Sequence, residues 1–555
     1  VTSPGNRETS ASKAPTNRPL QIGAGLVVLL SALLVSSFDY GRDQSIYALV
    51  AREMLNGGMP YRDAFDFKPP GIFLVYAFSR ALFGADQTGI RLLEAASMIG
   101  SAWAMVKLSK RHFGGANAGY LAAALASQVH AQLDFWHTAQ PESFGATITL
   151  LGLLLAPLGA ERDTAVARWR SPLVRWLACG IFFGVAGLMK PPLAGAGAIP
   201  ALAGAVALWS AKRAGSADSW LDVVKPLLLT AVGGATPIVL TGLWFSATGA
   251  LADLREVLFV FTPFYTKLSW VGVSTTGMIY YGLTEWLTGY SGILLAGMIC
   301  LAVARPERKQ VPFVLVLLGC IFVHVSGIVL QGKFFPYHWG ATFPLTAMLA
   351  GLGIVRAWQG LKHWGLFGRG ALALVLAIAF ILRYPVPSFG DTFIERSQLR
   401  LHLATRNGTT AQWDELASVA DVNAGENRAV AEYIKQRTAG REAEPIFVWG
   451  FECIIYDLAE RPLSSRYIYN VPQRAEWSHE PMQAALMKEL AVKPPLVIVV
   501  EHRDVFAQVT GNNDDSARAL YKFPALADLL ESNYDYETTI GDFDLFFRND
   551  LEPKR

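Results

Sequence analysis

Phe38-Asp39-Tyr40-Gly41-Arg42-Asp43-Gln44-Ser45-Ile46-Tyr47, then Ala51-Arg52-Glu53-Met54-Leu55, then Asp66-Phe67-Lys68-Pro69-Pro70, form a polar stretch set among apolar runs. The run before it, about 20–37, is long enough to cross roughly 30 Å of hydrocarbon. No small-residue cleavage pattern closes that run, so it reads as a retained first span. Inside the polar stretch, Ile46, Leu49, Val50 and Leu55 predict an amphipathic helix lying on the bilayer surface, with its charged start at the membrane–water boundary.

Ten further apolar runs follow, at about 92–109, 116–133, 143–159, 176–190, 193–210, 226–247, 286–304, 311–330, 339–355 and 371–384. Over 555 residues, 52% are hydrophobic and only 17% charged, a balance that excludes an ordinary cytosolic enzyme or a disordered chain. Basic residues cluster at Lys107, Lys110 and Arg111; at Arg162, Arg168, Arg170 and Arg175; at Lys212 and Arg213; at Arg305, Arg308 and Lys309; and at Arg356, Lys362 and Arg369. Each cluster follows an even-numbered run. Because Lys and Arg are retained on the cytoplasmic side, eleven spans with the N-terminus inside satisfy all five. The short apolar segment 71–84 would invert every later loop if it crossed, so it reads as an interfacial helix within a first external loop of 38–91. Residues 1–19 read as a disordered cytoplasmic tail.

Beyond about residue 385 charges become frequent, and buried-strand patterns appear at Ile446–Trp449 and Leu496–Val500, separated by helical stretches such as Pro481–Leu490. The expected architecture is an α-helical polytopic membrane region over 20–384 followed by a soluble α/β domain over 385–555, which the topology puts on the outer face. A net charge of +3, with basic residues scattered among loops, leaves no surface for nucleic acid. Cys179, Cys300 and Cys320 lie in apolar runs and Cys453 stands alone, so neither a disulfide framework nor a zinc spacing is present.

The order of these motifs resembles the GT-C superfamily, specifically the bacterial relatives of protein O-mannosyltransferases and of lipid A aminoarabinose transferases. The resemblance is carried by Asp43 followed shortly by Tyr47, the Ala51–Leu55 helix, Lys68-Pro69-Pro70, Leu82-Phe83-Gly84, and Arg91-Leu92 opening the second span. A later Lys333-Phe-Phe-Pro-Tyr337-His338 segment adds to it. The resemblance implies a glycosyltransferase that takes its sugar from a polyprenyl phosphate at the outer face of a bacterial inner membrane and passes it, with inversion, to a lipid, glycan or protein acceptor. By the same likeness Asp43 corresponds to the catalytic aspartate and Lys68 to a lysine that contacts the lipid phosphate. Gln44 departs from the pattern, since many relatives carry a second acid there. That weakens any transfer of a metal site, and a divalent metal finds no support in the sequence.

Elementary chemistry agrees with that implication. A phosphate monoester has a second pKa of about 6, so polyprenyl phosphate departs without an acid to protonate it. One base and a cationic clamp suffice, unlike glycoside hydrolysis, where a second carboxyl acts as acid. A carboxylate ionised at external pH can take the acceptor's proton, and cations at the outer surface can hold the phosphate. The candidate base is Asp43, with Asp39, Asp134 and Glu142 as further acids. Clamp candidates are Lys68, Arg91, Lys190 and Lys333, with Tyr337 and His338 adding hydrogen bonds. Tyr47, His137 and Gln140 are candidates for sugar or acceptor contact. Plainer roles stand beside these: Asp43 as the N-cap of the surface helix, the lysines as snorkelling residues at span ends, Arg91 as a helix-start anchor. Two other functions use the same features, a transporter or flippase of a lipid-linked sugar and a polysaccharide polymerase or ligase. Against the transporter stand the absence of internal repeats and the large polar first loop.

Overall fold

The computed structural model describes residues 17–158, 171–215, 219–382 except Ser269 and Val271, 388–406, 408–419 and 422–551. The expected tail and the basic cluster at Arg162, Arg168 and Arg170 lie outside the described residues. Helices occupy all eleven expected positions, beginning with Arg18–Val35, which Asn17 caps through the Leu20 amide. Among the described residues, six helical segments are long and apolar enough to cross a membrane, or seven if Thr275–Gly289 and Ile293–Ala304, bent by 89°, count as one span. The rest fall short for a physical reason. Thr88–His112 carries Arg91 and Glu94 in its interior, which pair with each other at 2.9 Å, and Glu94 pairs in turn with His130 at 2.9 Å on Asn117–Gln132. Pro141–Leu155 is only 15 residues long.

Helices pack closely where side chains vanish. A Cβ on Gly180 would lie 2.2 Å from the Thr230 carbonyl oxygen, and one on Gly233 2.1 Å from that of Leu177. Pro172–Met189 and Trp220–Ala247 therefore touch backbone to backbone, as small residues allow in membrane helices.

The C-terminal region builds a four-stranded sheet of order β1-β2-β4-β3, from Ile446–Trp449 (β1), Val497–Glu501 (β2), Tyr534–Ile540 (β3) and Phe543–Arg548 (β4). β1 and β2 are parallel with Ile446 opposite Val497, and both are buried throughout, hence their unbroken apolar sequence. The β3–β4 hairpin turns at Gly541 (φ 57°), and polar β3 forms the half-exposed edge.

One apolar core runs from Ile46, Tyr47, Leu49 and Val50 through Phe65 and Phe73 to Tyr467, Tyr469 and the sheet. The Arg42–Leu55 helix accordingly does not lie on an open surface: every residue from Gln44 to Ala51 is buried, and of the expected membrane-facing set only Leu55 is exposed. The physical cause is charge pairing with the C-terminal region, which no helical periodicity reveals. Arg42 pairs with Glu452 at 2.8 Å, and Asp457 takes Arg52 at 3.0 Å and Arg80 at 2.7 Å.

Candidate active site

The Arg42–Leu55 helix starts after Gly41, whose extended backbone (φ −92°, ψ −175°) makes it the N-cap. Asp43 sits in the first turn and caps nothing, which sets aside its plainer role. Its Oδ2 accepts a hydrogen bond from Gln140 Nε2 at 3.3 Å and lies 3.8 Å from Lys68 Nζ. Gln140 Oε1 in turn accepts from the Tyr47 hydroxyl at 2.9 Å, so three expected site residues form one chain. Gln44 explains how the helix is aimed. Its buried amide donates to the Phe135 carbonyl at 3.1 Å and the Thr138 carbonyl at 2.5 Å, tying the helix start to the loop that carries His137 and Gln140. A carboxylate there would face acceptors only, so the departure at Gln44 follows from the geometry.

Lys68 is fixed from behind by the Tyr61 hydroxyl, which donates to its carbonyl at 2.8 Å. Its ammonium reaches the Tyr337 hydroxyl at 3.4 Å, and the Asp43 charge acts on that phenol. Burial works against the Lys68 charge, but Asp43, Tyr265, Glu142 and Asp66 outweigh it and hold the ammonium above the ordinary lysine range. Burial drives His137 down to about 4 and His338 well below its usual value, the latter helped by Lys190 and Lys68. Both imidazoles are therefore neutral at pH 7. His137 also stacks on Tyr337 with centroids 5.8 Å apart.

Two hollows meet at Lys68. A cavity of about 760 Å³ surrounds Asp43, Tyr47, Asp66, His137 and Tyr337, closed from the other side by Phe451, Tyr469 and Phe506 of the C-terminal region. A groove of about 1560 Å³, lined by apolar residues such as Ile238, Leu258, Phe259 and Leu330, carries Lys68, Lys190, Lys333 and His338 in its wall. Phe67, Lys68 and Tyr265 line both. Lys190 makes an ion pair with Glu142, also in the groove wall. Lys333 donates to the Leu268 carbonyl at 2.8 Å and the Gln508 carbonyl at 2.9 Å, and burial lowers it to about 8.

Three expected residues stand elsewhere. Arg91 is fully enclosed by Glu94, Thr138 and the Asp39 and Phe135 carbonyls, where it braces the loop and reaches neither hollow. Asp39 accepts from Gln87 at 2.8 Å and lines neither hollow; burial raises its carboxyl above the usual range. Asp134 is taken by Arg396 and by Arg400, the latter at 2.8 Å. Arg42, Asp66, Tyr265 and the C-terminal aromatics line the cavity without having been singled out in the sequence. Arg42 and Asp66 stand inside the polar stretches already quoted, without a role assigned to them there, but the aromatics lie some 400 residues away and carry no local signal. Among the described residues, no three His, Cys, Asp or Glu side chains are placed to hold a metal ion.

A polytopic helical membrane region with a helix-bearing polar loop after its first helix and a C-terminal α/β cap is the architecture these elements define. The sequence model of the dolichyl-phosphate-mannose-protein mannosyltransferase family matches residues 67–239, a segment that contains Lys68 and Lys190 but not Asp43. The fold is similar to that of ArnT from Cupriavidus metallidurans bound to undecaprenyl phosphate, at 17% identity and a TM-score of 0.56, covering 97% of this chain and 99% of that one. Apo ArnT from the same organism matches at 16% identity and a TM-score of 0.55, covering 95% and 97%. No curated protein matches the sequence. The likeness to GT-C transferases read from the motifs thus extends to the fold.

Proposed function

We propose that the protein is a glycosyltransferase that moves a sugar from a polyprenyl phosphate to an acceptor hydroxyl at the outer face of a bacterial inner membrane. The observation that carries this reading is the junction at Lys68 of an apolar groove, suited to an isoprenoid chain, and a polar cavity around Asp43, suited to a sugar. The phosphate belongs at the junction, where Lys68 and Tyr265 are common to both. ArnT, similar in fold, is bound to undecaprenyl phosphate, which supports a lipid of this class here.

In the transfer, Asp43 takes the proton of the acceptor hydroxyl as its oxygen attacks the anomeric carbon. The bond from that carbon to the phosphate oxygen breaks, and the electron pair leaves with the polyprenyl phosphate. Attack opposite the leaving group inverts the anomeric centre. Lys68 stabilises the charge that grows on the phosphate in a site shielded from water, where such contacts act strongly. Tyr337, linked to both Lys68 and Asp43, keeps base and clamp in register. Lys190 and Lys333 supply further positive potential along the groove wall. In the topology proposed, eleven spans with residues 385–555 outside, all of these groups share one face.

The test uses purified protein, labelled polyprenyl phosphate sugars and crude envelope acceptors. Label moving to an acceptor with release of free polyprenyl phosphate supports transfer. Intact lipid crossing vesicles without bond cleavage would instead support a flippase.

A further inference from the structure

Asp66 has no part in the steps above, although it lines the same cavity and is 2% exposed. Its Oδ1 accepts a hydrogen bond from the Tyr469 hydroxyl of the C-terminal region at 2.8 Å. Its Oδ2 is enclosed and has no partner of hydrogen-bond geometry among the described residues. Buried acceptors are almost always satisfied, and an exception needs a cause. Nearby donors are committed elsewhere: the Tyr47 hydroxyl to Gln140, Arg42 to Glu452, Lys68 towards Asp43 and Tyr337. Phe451 and Tyr469, with rings 21° apart and centroids at 6.3 Å, both line the cavity beside this carboxyl. An aromatic lining with an adjacent acceptor suits a pyranose or pentose ring.

We propose that Asp66 and Tyr469 recognise the sugar of the lipid-linked donor: Tyr469 fixes the carboxyl through Oδ1, and Oδ2 accepts a hydrogen bond from an O–H or N–H of the sugar. The assignment rests on the donor reading above and adds to it a specificity residue drawn jointly from the first external loop and the C-terminal region. Asp66→Asn is a pointed test. Because Tyr469 donates to Oδ1, the asparagine keeps its carbonyl there and turns its NH₂ to where Oδ2 stood, which sets donor against donor for a sugar N–H and replaces a charged acceptor by a neutral donor for a sugar O–H.

Binding is measured with the full-length protein in detergent micelles for three probes: undecaprenyl phosphate, its neutral hexose conjugate and its amino-sugar conjugate. Wild type is expected to prefer a conjugate over the bare lipid phosphate. Asp66→Asn should bind the bare lipid at least as well as wild type, since it removes a negative charge near Lys68, and lose about 10- to 100-fold in affinity for the preferred conjugate, the worth of one hydrogen bond to a charged group. Tyr469→Phe, which keeps the ring, should lose less in the same direction and guards against a misfolded Asn variant. A loss confined to the amino-sugar conjugate assigns the partner as N–H; a loss for the hexose conjugate assigns it as O–H. Unchanged conjugate affinity in both variants, or an equal loss for bare and sugar-bearing lipid, overturns the assignment. Failure of wild type to bind undecaprenyl phosphate overturns the donor reading itself and this site with it.

Discussion

Replacing Asp66 by Asn should make the protein more stable at neutral pH, and the size of the gain follows from where the carboxyl sits. Burial pushes Asp66 from 3.8 to about 6, against the pull of Lys68 and the Tyr469 hydroxyl. The folded state therefore holds a proton that the unfolded chain has already released between those two values, and stability falls as pH rises through that window. Roughly two pH units at about 1.4 kcal/mol each give a cost of about 3 kcal/mol, complete above about pH 7 and absent below about pH 4. An asparagine carries no charge to bury and still accepts from Tyr469. The assay is melting of the variant and wild type in detergent, followed by intrinsic fluorescence at pH 7.5 and at the lowest pH the micelle tolerates. The variant should melt a few degrees higher at pH 7.5, with the gap closing on acidification. A gap between variant and wild type that fails to move in favour of wild type as pH falls from 7.5 refutes the argument, because an enclosed NH₂ costs the same at every pH and only the carboxyl titrates in this window. Together with weaker sugar binding, the gain would mark Asp66 as a residue kept for function at the expense of stability.

Four further outcomes are expected. Asp43→Asn should lower turnover by about 10²–10⁴-fold with lipid-phosphate binding and melting temperature near normal, since the residue caps no helix; single-turnover transfer of labelled sugar reads this directly. Lys68→Ala should weaken binding of undecaprenyl phosphate by the equivalent of about 1.5–3 kcal/mol, and equilibrium binding to the bare lipid that matches wild type would return Lys68 to a snorkelling role. Glu452→Ala removes the buried carboxylate that Arg42 meets at 2.8 Å and should destabilise the protein by about 3–5 kcal/mol, seen as early loss of protease resistance in the C-terminal region, whereas Arg42→Met with Glu452→Leu should recover much of that loss. Thiol-specific labelling from outside intact cells should reach a cysteine placed at Gly440 and not one placed at Lys212; the reverse pattern would put the groove head on the cytoplasmic face.

The sequence carried as much of the site as is local. Asp43, Tyr47 and Lys68 lie within 26 residues of one another in a loop whose polarity contrasts with its flanks, and Lys190 and Lys333 betrayed themselves by standing at the less basic ends of apolar runs. Glu142 and Asp134 were indistinguishable on those grounds. What separates them is Arg396 and Arg400, more than 250 residues on, which occupy Asp134, while Glu142 is left to Lys190 in the groove wall. The Tyr469–Asp66 and Arg42–Glu452 pairs span about 400 residues and leave no periodic trace. β3 escaped notice because an edge strand with one wet face is polar enough to pass for a loop.

That Lys68 borders both hollows has a kinetic corollary. In the proposed transfer the same ammonium meets the phosphate before and after the sugar departs, so spent carrier and fresh carrier compete for one seat. Every cycle then ends with an exchange of lipids along the groove between Ile238 and Leu330, and the speed of that exchange, set by the surrounding bilayer as much as by the protein, becomes a ceiling on turnover. Accumulated polyprenyl phosphate would throttle the reaction as a competitive product, coupling glycan output to how fast the membrane recycles its carrier.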